Sequence, residues 1–103
     1  MIIKLAALLM TLTITQVNAV PRNYDGRHVD VTGRALRSRV VSLPNGTTYT
    51  LFALCAAKCV HVTVLGTAVI PRGQTLTVHG TFYNRKDLGG FVLHGILVDP
   101  GTL

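Results

Sequence analysis

Apolar and polar residues alternate along much of the chain beyond residue 27. In residues 28–41, Val29, Val31 and Ala35 alternate with polar side chains, and Gly33 lies between them. A period of two is typical of a strand with one buried face. Glycine or proline recurs at short intervals, and valine and threonine are frequent, which favours short strands over helices. We predict five strands, at residues 28–41, 47–55, 59–66, 75–83 and 91–98.

Two features predict how these strands are connected. Gly33 lies inside the first strand, where a glycine often marks a bulge or a sharp bend. The sequence LPNG at residues 43–46 supplies the residues of a tight turn before the second strand. Alternation then assigns ten apolar residues to the inner face of the last four strands. They are Phe52, Leu54, Val60, Val62, Val64, Leu76, Val78, Phe82, Leu93 and Leu97.

The first 19 residues have the pattern of a secretory signal peptide. Lys4 precedes the apolar residues 5–14, and Val17-Asn18-Ala19 fits the small-x-small rule of signal peptidase. The apolar stretch is too short for a transmembrane helix, which needs about 20 residues. We predict a signal peptide at 1–19, a lead-in segment at 20–27 and one domain at 28–103. The mature chain is then periplasmic or secreted and has no transmembrane segment.

Basic residues outnumber acidic ones. The chain has ten Lys and Arg against four Asp and Glu, and of the basic residues only Lys4 lies in the predicted leader. Such a surplus favours anionic partners, namely nucleic acid or another polyanion, although solubility alone also explains it. So few carboxylates leave little for paired-carboxylate hydrolysis, and neither a nucleophile elbow nor a phosphate-binding glycine loop is present. We predict a protein that is not an enzyme and has no cofactor.

The two cysteines, Cys55 and Cys59, flank three residues between the second and third strands. A three-residue loop makes them direct cross-strand partners, whose Cβ separation of about 5 Å is close to what a disulfide needs. Export to an oxidising compartment also favours a bond, so we predict a disulfide. Two alternatives stay open: a copper or zinc site formed by Cys55, Cys59 and His61, and a redox-active dithiol.

Residues 28–99 resemble the OB-fold (oligonucleotide/oligosaccharide-binding) superfamily, and small exported bacterial OB proteins most of all. The resemblance lies in the segments VTGRA, YTLFAL, CVHVTVLG, PRGQTLTVHGTFY and GGFVLHGILV. It implies an all-β, five-stranded Greek-key barrel with little or no helix outside the signal peptide. Many OB folds have a helix between the third and fourth strands. Here residues 67–73 are too short and contain Pro71, so we expect a loop to cover that end of the barrel.

The resemblance also implies a ligand-binding face on the outside of the first three strands, where aromatic rings stack on bases and cations contact phosphates. Tyr49 and His61 are the predicted stacking residues. Arg85 and Lys86 are expected on the loop between the fourth and fifth strands, where they could close the groove. The predicted ligand-binding residues are Arg34, Arg37, Arg39, Tyr49, Lys58, His61, Arg85 and Lys86.

The function predicted from these features is an exported binding module for single-stranded nucleic acid or another polyanion. One alternative is a structural, assembly or glycan-binding subunit that has a protein partner. Another is copper or zinc handling through the cysteines and His61. His79 and His94 each precede a glycine. We interpret them as outward-facing residues that lie side by side on paired strands, with a metal site or a pH response as the alternative.

Overall fold

The protein is mostly β, and its computed structural model describes residues 11–19 and 21–102. One short helix and one 3-10 turn precede the long strands. In chain order the elements are β1 (Thr11–Leu12), α1 (Ile14–Ala19), the 3-10 turn (Pro21–Tyr24), β2 (Arg27–Ser42), β3 (Thr48–Cys55), β4 (Cys59–Leu65), β5 (Thr75–Asp87) and β6 (Val92–Val98).

The five long strands form one sheet that closes on itself in the order β2-β3-β4-β6-β5-β2. Neighbouring strands are antiparallel except β4 and β6, which are parallel. The last strand therefore inserts between β4 and β5 instead of lying at an edge. The predicted barrel-like all-β fold is confirmed, and closure protects most strand edges from pairing with other chains.

The barrel closes because β2 is long enough to pair with two strands. Its first part pairs with β5 as far as Arg34, and its second part pairs with β3 from Arg34 onward. Gly33 lies at the change of partner and is buried. A Cβ at this position would be 3.0 Å from the carbonyl oxygen of Cys55 and 2.7 Å from Ile14 Cδ1. The predicted role of Gly33 as a bending point fits this crowded position, although the bulge itself lies further along, between Leu36 and Arg39.

The core fills the barrel with alternate residues of every strand. Val29, Val31 and Ala35 of β2 are fully buried, as the alternation predicts. The predicted inner residues of β3, β4 and β5 are in the core cluster or pack against it. In β6, Leu93 is buried as predicted, but the prediction for Leu97 is wrong: Ile96 and Val98 join the core cluster, and Leu97 does not. Apolar residues occupy both faces of this strand, so its sequence pattern could not select the inner one.

A loop covers one end of the barrel, as predicted. Residues 66–74 contain no helix, and Ile70 packs against the core. Thr50 holds the loop in place, since its hydroxyl donates to the carbonyl of Gly66 at 2.8 Å and accepts from the amide of Ala68 at 2.9 Å. A buried hydroxyl is thereby satisfied on both sides.

Part of the predicted leader covers the other end. Ile14 and Val17 of α1 are completely buried and belong to the core cluster. Thr13 and Gln16 form reciprocal side chain–backbone hydrogen bonds at the start of the helix, which is a capping box. Residues 1–10 and Val20 lie outside the described residues, and cleavage after Ala19 stays a prediction. The lead-in segment forms the 3-10 turn, and Tyr24 packs against the core.

The fourth predicted strand is longer than its sequence pattern suggested. It was predicted to end at residue 83, but β5 continues through a bulge between Tyr83 and Lys86 and ends at Asp87. Arg85 and Lys86 therefore lie in a strand and not in the loop between β5 and β6, so that part of the prediction is wrong. The run NRKD has no alternation, and its strand conformation comes from pairing with β6.

Candidate ligand-binding groove

A disulfide closes the hairpin next to the predicted binding face. Cys55 and Cys59 are direct partners in the ladder of β3 and β4, with a Cα–Cα distance of 4.0 Å and an S–S bond. The predicted disulfide is confirmed. The alternative copper or zinc site would need the reduced form, because bonded sulfurs are not thiolate ligands. In residues 11–19 and 21–102, no three His, Cys or Asp side chains are grouped to hold a metal ion.

The outer surface of β3 and β4 carries a groove of about 540 Å³. One wall comes from β2 beyond its bulge, and the opposite wall comes from the β5–β6 loop and the start of β6. A volume of this size is within the range of small-molecule binding sites, about 300–1,000 Å³. The side chains that give the groove its chemistry are Arg37, Arg39, Leu51, His61, Phe91 and His94.

The bulge in β2 directs two arginines to this groove. Leu36 pairs with Ala53 and Arg39 pairs with Leu51, so β2 has one more residue than β3 across this interval. Arg37 lies within the bulge at φ 58°, a left-handed conformation that costs a non-glycine residue about 1–2 kcal/mol. Bulges of this kind often redirect side chains beside binding sites. Both arginines are exposed and line the groove.

The floor of the groove is apolar. Ala53 and Thr63 are buried at its base, although they alternate with the inner residues and so face outward from β3 and β4. Half-buried Leu51 lies beside them. Phe91 forms one side and contacts Tyr49 edge to face, with ring centroids 5.4 Å apart and an angle of 80° between the planes. A flat apolar group can therefore be covered from below and from one side.

Two histidines stand at the rim. His61 is exposed on β4, opposite Ala53 in the ladder. His94 is exposed at the start of β6, and its Nδ1–H donates to the backbone carbonyl of Asn84 at 2.7 Å. A carbonyl can only accept, so this bond fixes the proton on Nδ1 and leaves Nε2 as the acceptor of the neutral ring.

The groove is positive because the carboxylates are elsewhere. The chain's four acidic residues are aspartates within the described residues, and none of them lines the groove. Asp30 pairs with His79, with 2.6 Å between the oxygen and Nδ1, and Asp99 pairs with His28. Within residues 11–19 and 21–102, the guanidinium groups of Arg37 and Arg39 form no hydrogen bond or ion pair. Their donors are therefore available to a ligand.

The structure brings together some of the predicted binding residues and separates others. Arg37, Arg39 and His61 line the groove, and Tyr49 adjoins it through Phe91. The remaining four do not line it. Arg34 donates from Nε to the carbonyl of Gly73 at 3.3 Å, Lys58 lies in the hairpin loop, Arg85 lies in β5, and the Lys86 ammonium is 5.2 Å from the centre of the Tyr83 ring.

Sequence reasoning missed the wall that faces the arginines. Phe91 and His94 were not among the predicted ligand residues, although Phe91 directly follows the pair Gly89-Gly90. An aromatic residue after a glycine pair at a loop end was the available signal, since such loops commonly carry binding residues. Gly89 has φ 87°, and its amide donates to Asp87 Oδ1, which turns the chain back toward the groove.

His79 and His94 do not lie side by side. His94 is beside Asn84, whereas His79 of β5 is opposite Asp30 of β2. The two strands do pair, but their register places Tyr83 opposite Gly95 and Gly80 opposite Val98, which separates the histidines along the ladder. The interpretation of the pair as neighbours is therefore wrong.

No helix within residues 11–19 and 21–102 is long and apolar enough to cross a membrane. In comparisons with known proteins, no family model matches this chain, and neither a curated protein nor a solved structure matches it. The groove is therefore the feature of the molecule that points to a function.

Proposed function

We propose that the protein is an exported binding module, without catalytic activity, whose outer groove recognises an anionic ligand. The observation that carries this proposal is the combination of an apolar floor with two uncommitted arginines and no carboxylate. Guanidinium groups bind phosphate and carboxylate through pairs of parallel hydrogen bonds. A site with these properties attracts an anion and also holds an apolar body.

We also propose that the chain belongs to the OB superfamily. A ring in which the last strand inserts between the third and fourth long strands is a Greek-key arrangement, and β2 is similar in its length and its bulge to the first strand of an OB barrel. These features support membership of the OB superfamily. In that family the face of the central hairpin carries the ligand, and here the groove lies on β3 and β4.

Export is part of the same proposal. The Cys55–Cys59 disulfide is compatible with an oxidising compartment, and the described residues contain no membrane-spanning helix. Together with the leader pattern at residues 1–19, these features support a periplasmic or secreted location. The ligand would then be an anion encountered outside the cytoplasm.

Salt dependence and two sets of substitutions test the proposal. The oxidised protein is titrated with fluorescent single-stranded DNA and with heparin at several salt concentrations. We expect the affinity to fall as salt rises, because arginine–phosphate contacts release counterions. Replacing Arg37 and Arg39 together should weaken binding about tenfold or more, whereas Arg34→Ser should change it little.

Two outcomes would contradict the proposed function. One is a salt-independent affinity for every polyanion tried. The other is the same loss of binding in the Arg34 variant as in the groove variant, which would reflect total charge and not the groove. A stable oligomer that ignores all polyanions would favour the alternative of an assembly subunit.

A further inference from the structure

Among residues 11–19 and 21–102, some of the basic side chains outside the groove already have a partner. Outside the groove, Arg34 is tied to the carbonyl of Gly73, and Lys86 stands over the ring of Tyr83. Lys58 lies at the tip of the β3–β4 hairpin. A protein that follows a nucleic-acid strand needs cations spaced along the backbone of that strand. Here two uncommitted arginines, Arg37 and Arg39, line one groove.

The aromatic rings also do not form a stacking series. Tyr49 is half-buried, and its ring meets Phe91 at an interplanar angle of 80°. Successive bases of a strand need successive open ring faces that are roughly parallel. Two rings in edge-to-face contact provide a wall for one flat body. This geometry suits one aromatic group and does not suit several in a row.

The volume of the groove agrees with a compact ligand. About 540 Å³ is typical of sites for single small molecules. Strand-binding OB domains, in contrast, contact about 4–16 nucleotides each. The buried base at Ala53 and Thr63 gives the groove depth at one place, between the arginine wall and the Phe91 wall.

We propose that the groove binds a compact organic anion with one flat apolar body, about the size of a single nucleotide, and that it does not track a polymer. This inference rests on the proposed function and narrows its ligand class. Arg37 and Arg39 hold the anionic group, Leu51 and Phe91 contact the flat body, and His61 and His94 line the rim. A longer nucleic acid then gains little affinity from the nucleotides that lie outside the groove.

A length series tests this directly. The full chain, with its disulfide intact, is titrated by calorimetry with thymidine 5′-monophosphate, thymidine, inorganic phosphate and thymidine oligonucleotides of increasing length. We expect the monophosphate to bind within about threefold of an oligomer of about eight nucleotides, and thymidine and phosphate to bind at least about tenfold more weakly. For the oligomer, we expect a log–log salt slope of about −1, as for one or two phosphate contacts.

Different results separate failure of this inference from failure of the proposed function. An affinity that rises about tenfold with each doubling of length, with a salt slope near −5 for the eight-nucleotide oligomer, would show a polymer track. It would overturn the compact-ligand inference and leave the polyanion-binding function standing. Inorganic phosphate binding as well as the monophosphate would also overturn the inference. If neither the monophosphate, the oligonucleotides nor heparin bind, both proposals are wrong.

Matched variants assign the parts of the ligand to the parts of the groove. Arg37→Asn keeps a residue that tolerates positive φ, so the bulge should persist while the guanidinium is lost. It should weaken the monophosphate about tenfold. Phe91→Ala should weaken the monophosphate and leave the weak binding of inorganic phosphate unchanged. Arg72→Ser, an exposed arginine outside the groove, is the control and should have no effect. Equal losses in the Arg37 and Arg72 variants would overturn the assignment.

Discussion

The outer surface of the barrel has two halves that differ in how the polar side chains of neighbouring strands meet. On the paired half, formed by β5 and the first part of β2, side chains directly opposite each other bond across the ladder. Asp30 and His79 are 2.6 Å apart, and the hydroxyls of Thr32 and Thr77 are 2.7 Å apart. On the groove half, formed by β3, β4 and the second part of β2, Ser42 and Thr48 bond at 3.4 Å near the strand end, but Arg37 and Arg39 have no such partner among the described residues. Polar residues alone therefore do not mark a binding face, but uncommitted ones beside an apolar floor do.

The difference originates in β2, which contributes to both halves. Before Gly33 the strand is regular, and its outward residues face partners on β5. After Gly33 it changes partner, and the bulge between Leu36 and Arg39 leaves Arg37 without a ladder partner on β3, while Arg39 lies opposite the apolar Leu51. Polar side chains of β5 therefore bond Asp30 and Thr32, whereas Arg37 in the bulge and Arg39 opposite Leu51 face no polar side chain on β3. The four predictions below test this contrast, starting with the largest expected effect.

The largest effect should come from the barrel end beneath the groove half. The side chains of Ile14 of α1 and Leu54 of β3 both lie close to Gly33, and both belong to the core cluster. In full-length protein made without export, so that residues 1–19 are retained, Ile14→Ala should lower the free energy of unfolding by about 3 kcal/mol. Chemical denaturation measures this loss. Ala19→Ser, at an exposed position of the same helix, is the control and should have almost no effect.

Hydrogen exchange of the Ile14→Ala variant shows which strands lose stability. Amides of β3 and β4 should lose more protection than those of β5, because α1 contacts β2 and β4. Equal loss on both halves would mean that the barrel opens as one unit. No loss at all would mean that α1 does not close the barrel end in solution.

The second prediction concerns two glycines that lie against the backbone of a neighbouring strand. A Cβ at Gly95 would lie 2.1 Å from the carbonyl oxygen of His61, and one at Gly80 would lie 2.3 Å from that of Leu97. Either change to alanine should therefore cost about 3 kcal/mol by forcing strands apart. Only Gly95→Ala displaces β4 at His61, so only this variant should also weaken ligand binding. Binding measured well below the unfolding midpoint separates the two variants. An equal loss of ligand affinity in the two variants would contradict a local role for the contact between β4 and β6.

The third prediction concerns the disulfide, which belongs to the groove half. A five-residue loop closed by a disulfide is expected to contribute about 2 kcal/mol through the entropy of the unfolded chain. Replacing Cys55 with alanine and Cys59 with serine should cost about that amount, since Cys55 is buried and Cys59 is exposed. Reduction of the unmodified protein provides the control and should give the same loss. A much larger loss would mean that the bond fixes the strand register as well.

The sequence was sufficient for most of the fold. Strict alternation and turn residues predicted five strands, and four of them begin and end within one residue of the predicted bounds. The prediction for the remaining strand, β5, ended too early, because NRKD has no apolar alternation. Leu97 was wrongly assigned to the inner face of β6, because valine, leucine and isoleucine lie on both of its faces. In both cases the deciding contact is with a partner strand distant in sequence, which local pattern does not contain.

The groove was predicted only in part, for a similar reason. Arg37, Arg39 and His61 follow from the charge and alternation of the first and third predicted strands. Phe91 and His94 reach the groove only because the last strand inserts beside β4. Ile14 was assigned to a removable leader, so its place in the core could not be predicted. Contacts between segments that are distant in sequence therefore place Phe91 and His94 in the groove and Ile14 in the core.

The smallest effect should come from the paired half itself. Asp30 of β2 pairs with His79, and Asp99, which follows β6, pairs with His28 of β2. Replacing both aspartates by asparagine removes these two carboxylates and makes this half more positive. Each exposed or half-exposed pair should contribute only about 0.5 kcal/mol, because solvent screens the charges and asparagine still accepts a hydrogen bond. Thermal denaturation should therefore change little. The added positive charge should not create a second site for the monophosphate, because the pocket that Asp99 lines is much smaller than the groove, about 220 Å³ against about 540 Å³. Calorimetry should still give one site per chain. A second site of similar affinity would show that unpaired charge alone is enough for binding, and the contrast between the two halves would then lose its meaning.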